Sequence, residues 1–207
     1  MGLGKRYGRK LQWGPLRGGH WAVPFVLMLV CGLFAILGED ALQALKYDRL
    51  AIVDGEFWRL VTGHLAHMGI SHYALNMAGL LLVWLLTGRY FSLSEWVTVL
   101  LITLAVTTAG FWFVDRNLLW YVGLSGILHG LLVAGSLRGL RELPGESAVI
   151  LCAVVAKLAW EQLAGPLPGS ESVSGGNVIV NAHLYGAVGG AVAAGILWRR
   201  DGQEASI

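Results

Sequence analysis

The sequence predicts an all-α membrane protein, a bundle of six transmembrane helices. Of the 207 residues, 56% are hydrophobic and only 14% are charged, and the mean hydropathy is +0.62, so the composition is that of a chain lying in lipid. The apolar runs are long and continuous and lack the alternation of barrel strands. Since backbone groups in lipid must bond within their own segment, these runs predict helices.

Six apolar segments account for the predicted helices. A bilayer core of about 30 Å needs roughly 20 mostly apolar residues per helix, and a shorter segment can serve inside a bundle. Breaks that carry charge, glycine or proline separate the segments, among them "LRELPGES" before the fifth and "GPLPGSES" after it. In chain order the predicted spans are 21–37, 71–86, 96–114, 124–137, 147–163 and 182–198.

Residue types at the ends and faces of these segments agree with spans. The first, third, fourth and sixth segments have a tryptophan near one end, where the side chain reaches the interface: Trp21, Trp96, Trp120 and Trp198. The fourth and sixth segments carry glycines four residues apart, Gly126 with Gly130 and Gly186 with Gly190. Because such spacing lets backbones approach closely, we expect these two helices to pack tightly.

The distribution of basic residues predicts the orientation. Six spans place both ends on one side, and that side carries most of the basic residues: Lys5, Arg6, Arg9, Lys10, Arg17, Arg89, Arg138, Arg141, Arg199 and Arg200. The opposite side carries only Lys46, Arg49, Arg59 and Arg116. Both termini are therefore predicted to be cytoplasmic.

This orientation divides the chain into a basic cytoplasmic tail at 1–20, a membrane domain at 21–200 and a short tail at 201–207. The first apolar run is long and no convincing small-x-small cleavage site follows it, so we interpret it as a retained anchor and not as a signal peptide. The basic tail is interpreted mainly as a topology signal, with contact to anionic lipid as the alternative.

Polar residues inside the spans are costly in hydrocarbon and tend to face a bundle interior or a watery cavity. Those at the second, fourth, fifth and sixth segments are His64, His67, His72, Asn76, Ser125, His129, Lys157, Glu161 and His183. On the predicted topology the second, fourth and sixth spans all begin at the outer face. We therefore expect His72, Ser125 and His183 to lie at similar depths, where they can meet.

This set predicts nucleophilic catalysis. A serine hydroxyl is a poor nucleophile until a base takes its proton, and His183 can reach Ser125 from another helix. Gly123 and Gly126 flank the serine and leave space for a substrate backbone. His72 and Asn76 share one helix face, so with the Ser125 N–H they can form an oxyanion hole. Since no acid stands near His183 in "NVIVNAHLYG", no third member of a triad is expected, and no cofactor is needed.

Each of these residues also has a structural interpretation, because a lone serine or histidine in a membrane helix is more often a packing residue than a catalyst. A metal site is a further alternative, since His64, His67 and His72 have the spacing H-x2-H-x4-H. It is disfavoured because no carboxylate or cysteine accompanies the three, and we expect no metal. Lys157 and Glu161, four residues apart, are expected to neutralise each other in preference to a substrate role.

Three stretches together resemble the rhomboid intramembrane serine proteases: "FWRLVTGHLAHMGISHYALNMAGLLL", "GLSG" and "AHLYGAVGG". The resemblance extends over residues 56–190, with the motifs in the order of that family, and it implies a rhomboid-like bundle. It implies Ser125 as nucleophile, His183 as base, and His72 and Asn76 in the oxyanion hole. The supporting positions that it implies are Trp58 and Arg59 in the first loop, His67, Gly123, Gly126, and Gly186 and Gly190 on the last helix.

Within that family the small size and the stretches "GEFWRLVTGHLAHMGISH", "GLSGILHG" and "KLAWEQ" are most similar to the rhombosortases. This resemblance implies a bacterial inner-membrane enzyme that cleaves a C-terminal sorting tail made of a Gly-Gly motif, a transmembrane helix and a basic end. The expected partners are such membrane-anchored substrates and the lipid bilayer, with no nucleic acid. The alternatives are a general rhomboid protease with broader single-span substrates and an inactive rhomboid-like protein that binds membrane clients.

One position departs from the rhomboid pattern. Many rhomboids carry a tyrosine four residues after the serine, where its ring packs on the catalytic histidine, and here His129 takes that place. A side chain one turn deeper on the same helix aims poorly at the serine hydroxyl. We therefore expect His129 to stack on or orient His183 and not to compete as the base.

Overall fold

A computed structural model describes residues 21–204, with side chains to residue 199. The first helix, α1 (Ala22–Ile36), is apolar throughout and is followed by the amphipathic α2 (Gly38–Leu45). The two helices meet at an angle of 117°. Gly38, the first residue of α2, has φ of 77°, a conformation that favours glycine, so the chain can turn sharply there.

A loop region rich in short elements follows. It contains β1 (Tyr47–Asp48), α3 (Arg49–Val53) and α4 (Arg59–Thr62). The Asp48 carboxylate accepts hydrogen bonds from the N–H groups of Leu50 and Ala51, at 3.1 and 3.3 Å, and so caps α3. This region packs against later parts of the chain, because Tyr47 and Ile52 share a buried cluster with Phe111.

Two long apolar helices come next, α5 (Ile70–Thr87) and α6 (Leu93–Ala109). A 3₁₀ turn at Gly88–Tyr90 ends the first of them. Ser92 and Glu95 form a reciprocal capping box that starts α6. The helix widens into a π-helical turn at Gly110–Val114 before the chain leaves the bundle.

The chain then returns through β2 (Trp120–Tyr121), which pairs antiparallel with β1. This two-residue ladder connects the loop region between α2 and α5 to the segment that enters α7 (Ser125–Gly139). The ladder was not predicted, because two paired residues carry no periodicity. The helix that follows is only 15 residues long, about 22 Å at the rise of an α-helix.

Three further helices complete the fold: α8 (Pro144–Ala164), the short α9 (Ser170–Ser174) and α10 (Val180–Glu204). Proline in the first turn of α8 suits a helix start. The short α7 packs against α5, α6, α8 and α10, and it is therefore the central helix of the bundle. Its glycines and small residues are buried on most sides.

Helices occupy all six predicted segments, but not all of them are long enough to cross a bilayer unaided. In the described part of the chain, four helical stretches are long and apolar enough: Ile70–Tyr90, Leu93–Val114, Pro144–Ala164 and Val180–Arg199. The bent pair α1 and α2 makes a fifth if it counts as one span. Because α7 is short and enclosed by protein, a count of six crossing helices stays a prediction.

The predicted basic tail at 1–20 lies outside the described residues. At the other end α10 continues to Glu204, so the helix extends into the segment that we predicted as a tail. The division of the chain into a membrane domain and two tails stays a prediction.

Candidate active site

The opening turn of α7 sets the position of Ser125. Gly123 has φ of 125°. Its N–H donates to the carbonyl of Gly63, just after α4, at 3.0 Å, and this hydrogen bond fixes the position of the turn. A Cβ atom at Gly123 would lie 2.9 Å from Cε1 and Nε2 of His72. Glycine is therefore needed both for the backbone conformation and for the close approach of the His72 ring to the start of α7.

His183 approaches Ser125 from α10, near the beginning of that helix. Its Nε2 lies 3.0 Å from the Ser125 Oγ, within hydrogen-bonding distance. His183 is buried, and Ser125 is partly buried. The structure thus brings together, from two helices far apart in sequence, the two side chains that the sequence predicted as nucleophile and base.

Glycines at the crossing of α7 and α10 make this approach possible. A Cβ at Gly126 would lie 2.8 Å from the Ala182 carbonyl oxygen. A Cβ at Gly186 or at Gly190 would run into the carbonyl group of Gly126 or of Gly130 respectively. The predicted close packing of the fourth and sixth segments is present, and it fixes the distance across which Ser125 and His183 face each other.

His129 lies one turn below Ser125 on α7. Its ring stacks on the His183 ring, with centroids 4.2 Å apart and planes 22° from parallel. Its Nδ1 is 2.7 Å from the Ser125 carbonyl oxygen, and since a carbonyl only accepts, Nδ1 carries the proton. His129 therefore presents its face to His183, as the sequence predicted.

An acidic residue does contact His183, contrary to the expectation that no third member would be found. Glu161 on α8 has its two carboxylate oxygens 2.9 and 3.1 Å from the His183 Nδ1, and it is buried. The expectation was wrong because it considered only residues near His183 in sequence, whereas the contact comes from another helix. The available signal was an acid inside an otherwise apolar span.

Lys157 stands one turn before Glu161 on α8. Its Nζ donates to the Glu161 Oε1 at 2.6 Å and lies 3.3 Å from the His183 Nδ1. The predicted ion pair between the two residues is present. It does more than balance charge within one helix, because both partners reach the imidazole of His183.

The predicted oxyanion-hole residues both lie in the first two turns of α5. The Met68 N–H donates to the His72 Nδ1 at 3.4 Å, so in a neutral ring Nε2 carries the proton. That nitrogen faces Gly123, beside Ser125. Asn76 is buried and donates from Nδ2 to the His72 carbonyl at 3.0 Å, so one of its two amide N–H groups is occupied within the helix.

Among the described residues, the three histidines of the metal alternative do not bring three ligand atoms together. His64 stacks on Phe111 and its Nε2 lies 2.9 Å from the Thr108 Oγ1. His67 packs edge-on against His72, with ring centroids 5.0 Å apart. Burial lowers the pKa of His64 to about 4 and that of His67 to about 3, so both are neutral packing residues at pH 7.

One other group of possible ligands lies at the serine site itself. In the described part of the chain, the side chains of His129, Glu161 and His183 bring three ligand atoms within 4.8 Å of one another. The Lys157 ammonium already lies 2.6 Å from the Glu161 carboxylate. The Lys157 ammonium thus supplies the positive charge beside the Glu161 carboxylate. The three side chains therefore suit a hydrogen-bonded histidine base better than a metal site.

Trp58 and Arg59 lie in the loop region between α2 and α5 and contact the end of α2. Arg59 is buried, and its Nη1 donates to the Gln43 and Lys46 carbonyls at 2.7 and 3.0 Å. Trp58 donates from Nε1 to the Ala44 carbonyl at 3.1 Å. Both residues therefore fasten the loop to the end of α2, and neither touches Ser125.

A small cavity opens beside the serine. Its volume is about 30 Å³. Ser125, His72 and Met68 line it from the side of α5 and α7, and on the other side Ser174 at the end of α9 and Asn177 in the loop before α10 line it. A space of this size holds about one water molecule or one very small side chain. Ser174 and Asn177 belong to no motif, so they were not predicted as site residues.

Comparison with known proteins agrees with the geometry. A family model described as the rhomboid domain matches residues 54–200, which is more than half of the chain. No curated protein matches the sequence. The match includes α5 to α9 and α10 up to residue 200, and thus every side chain around Ser125 described above. With its apolar helices, the chain is a multi-pass membrane protein, and it belongs to the rhomboid family of intramembrane serine proteases.

Proposed function

We propose that this protein is a rhombosortase-type endopeptidase, in which Ser125 and His183 cleave the C-terminal Gly-Gly-containing membrane tails of exported proteins. The observation that carries the catalytic assignment is the 3.0 Å contact between Ser125 Oγ and His183 Nε2 at the meeting ends of α7 and α10. A nucleophile and a base at hydrogen-bonding distance in a largely buried site are what acyl transfer requires.

In the proposed reaction the Ser125 oxygen bonds to the substrate carbonyl carbon while its proton passes to the His183 Nε2. The carbonyl π electrons move to the oxygen, which takes hydrogen bonds from the His72 Nε2–H and the Ser125 N–H. Asn76 has a second amide N–H beyond the one on the His72 carbonyl, and we assign it to the same oxyanion. The proton on Nε2 then goes to the leaving amine, and water releases the acyl-enzyme by the same path.

The size of the cavity beside Ser125 supports a small residue at the cut. A cavity with a volume of about 30 Å³ favours glycine over a leucine or phenylalanine side chain at this place. Glycine also weakens a substrate helix by roughly 1 kcal/mol relative to alanine, so a Gly-Gly pair at the head of a membrane anchor unwinds and fits at the same place. The resemblance in "GLSGILHG" and "KLAWEQ" favours this substrate class and a bacterial inner-membrane location.

The test is cleavage of a model substrate by the purified protein in liposomes. The substrate carries a soluble domain, a Gly-Gly pair, a transmembrane helix and a basic end, and mass spectrometry identifies the new termini. We expect a cut beside the glycines, at the outer end of the substrate span, and loss of cleavage when both glycines become leucine.

Two results separate the alternatives. A cut several turns inside the span, or equal cleavage of the leucine variant, would indicate a general rhomboid protease. Binding of the substrate with no cleavage above that of Ser125→Ala would indicate a protein that only binds membrane clients. Ser125→Ala and Cys152→Ser are the matched negative and neutral controls.

A further inference from the structure

Glu161 is an unusual side chain for its position. It sits in the last turn of the apolar α8, where it is buried in protein, and a buried ionisable group is costly unless it is paired. Its side chain is only 2% exposed, and its carboxylate contacts residues of two kinds, a lysine on its own helix and the histidine of another. Packing of α8 against α10 does not need a carboxylate, because an apolar residue would fill the same space at lower cost.

The contact decides which nitrogen of His183 carries the proton. An ionised carboxylate can only accept hydrogen bonds, so the His183 Nδ1, at 2.9 and 3.1 Å from its oxygens, must be the donor. In the neutral ring Nε2 is then unprotonated. It faces the Ser125 Oγ at 3.0 Å and can accept the hydroxyl proton, which is the arrangement that a base requires.

Lys157 competes for the same nitrogen. An ammonium group can only donate, so a hydrogen bond from its Nζ to the His183 Nδ1, now 3.3 Å away, would force the opposite tautomer. With the proton on Nε2, the ring could not take a proton from Ser125. The shorter contact of 2.6 Å between Lys157 and Glu161 keeps the ammonium on the carboxylate and the carboxylate ionised.

We propose that Glu161 is a positioning residue for the reaction: it holds His183 in the tautomer that accepts the Ser125 proton and stabilises the imidazolium that forms, while Lys157 keeps Glu161 charged. This inference rests on the proposed roles of Ser125 and His183. When Nε2 takes the serine proton, Nδ1 keeps its own proton and the carboxylate stays ionised. Hydrogen bonds thus connect Ser125 to His183 and His183 to Glu161, and the three residues lie on three different helices.

A double variant separates this role from simple charge balance. Glu161→Leu with Lys157→Leu removes both charges together, so no unpaired charge remains in the bundle and the protein is expected to stay folded. If Glu161 positions His183, the double variant loses kcat by about 100- to 10,000-fold, the scale seen when the acid of a triad is replaced. KM for the Gly-Gly substrate should stay within about threefold, because the substrate does not touch Glu161.

Single variants test the hydrogen bond. Glu161→Gln keeps the size but its amide can donate as well as accept, so both tautomers of His183 become accessible and kcat falls. Glu161→Asp keeps an acceptor and is expected to recover part of the activity. Glu146→Gln is the matched control on the same helix, because Glu146 is exposed and pairs only loosely with Arg89, at 3.4 Å.

The experiment measures kcat, KM and the rate at which a fluorophosphonate labels Ser125, in wild type, these variants and Ser125→Ala, with melting temperature as the folding check. Slow labelling and low kcat in folded Glu161 variants, with partial recovery in Glu161→Asp, is the expected result. Wild-type kcat in the double variant would overturn the role of Glu161 and leave the proposed function intact. Cleavage by Ser125→Ala would instead remove the proposed function and this inference with it.

Discussion

The reactivity that we assign to Ser125 depends on which nitrogen of His183 is free to accept a proton. The His183 Nε2 is 3.0 Å from the Ser125 Oγ, and the hydrogen bonds on the other side of the ring determine whether it is protonated. His129 adds a stacked ring at 4.2 Å and fixes its own orientation on the Ser125 carbonyl. Catalysis at this residue scale is thus a matter of orientation as much as of proximity.

Replacing His129 should be milder than replacing His183. His183→Ala removes the base and is expected to lower kcat by at least about 10,000-fold. His129→Phe keeps a flat ring against His183 but loses the hydrogen bond to the Ser125 carbonyl, so we expect a decrease of about tenfold or less. Steady-state cleavage in liposomes measures both, and an inactive His129→Phe beside an active His183→Ala would reverse the assignment of the base.

The two predicted oxyanion donors should differ in their effect. The His72 Nε2 faces the start of α7, whereas Asn76 donates one of its two amide N–H groups to the His72 carbonyl. We expect Asn76→Ala to lower kcat by about 10- to 1000-fold, the usual range for one oxyanion donor, and His72→Ala to lower it more. Leu75→Ala on the lipid-exposed side of α5 is the control. Unchanged kcat in folded Asn76→Ala would take Asn76 out of the site.

The sequence was sufficient to predict that Ser125, His183 and His72 lie close together. Each stands in the first turn of a predicted span, and the three spans were predicted to begin at the same face of the membrane. The sequence was not sufficient for Glu161. Whether a residue in the last turn of α8 faces lipid or faces α10 depends on the rotation of the helix in the bundle, and the weak polar pattern of α8 did not fix that rotation.

At the scale of elements, the crossing of α7 and α10 is the part of the fold on which the site depends. The glycines there allow carbonyl groups of one helix to touch the backbone of the other. The motif spacing predicted this crossing, since small residues four apart mark one close-packed helix face. The π-helical turn after α6 was not predicted, because it lies within a continuous apolar run. The sharp bend at Gly38 was not predicted either, because the first predicted span ended at residue 37 and α2 was not recognised as a second helix.

Adding one methyl group at this crossing should therefore be costly. In Gly186→Ala the new Cβ meets the Gly126 carbonyl, and we expect a loss of about 1–3 kcal/mol in the free energy of unfolding together with a large loss of cleavage. Gly195→Ala is the matched control on the same helix, since nothing lies within 4 Å of its Cβ position, and it should stabilise the helix slightly. Unfolding in mixed detergent micelles measures both variants. Equal stability of the two would contradict the packing argument.

At the scale of the whole molecule, the short α7 packs against α5, α6, α8 and α10. Ser125 is the first residue of α7, so it lies at a helix end, beside the cavity and the segment before α10. The composition predicted a helical membrane bundle, and this is confirmed. The number of crossing helices could not be fixed by composition alone, because a 15-residue helix in protein and one in lipid can share the same apolar residues.

The orientation predicted from the basic residues can be tested directly. In a Cys152→Ser background, two single cysteines are introduced as labelling sites. Ser172→Cys lies in α9 near the site, and Ser206→Cys lies near the C-terminal end of the sequence. Since basic residues favour the cytoplasm, a membrane-impermeant maleimide should label Ser172→Cys in spheroplasts and Ser206→Cys only after lysis. Labelling of both before lysis, or of Ser206→Cys alone, would contradict cytoplasmic termini.

The central claim is that Ser125 is a nucleophile activated by His183, and the most direct measurement is the site and rate of covalent labelling. The purified protein is treated with a fluorophosphonate in liposomes, digested and analysed by mass spectrometry. We expect one adduct, on the peptide that contains Ser125, with labelling abolished in Ser125→Ala and slowed by at least about 1000-fold in His183→Ala. An adduct on another residue, or labelling of Ser125 at the wild-type rate in folded His183→Ala, would contradict the claim.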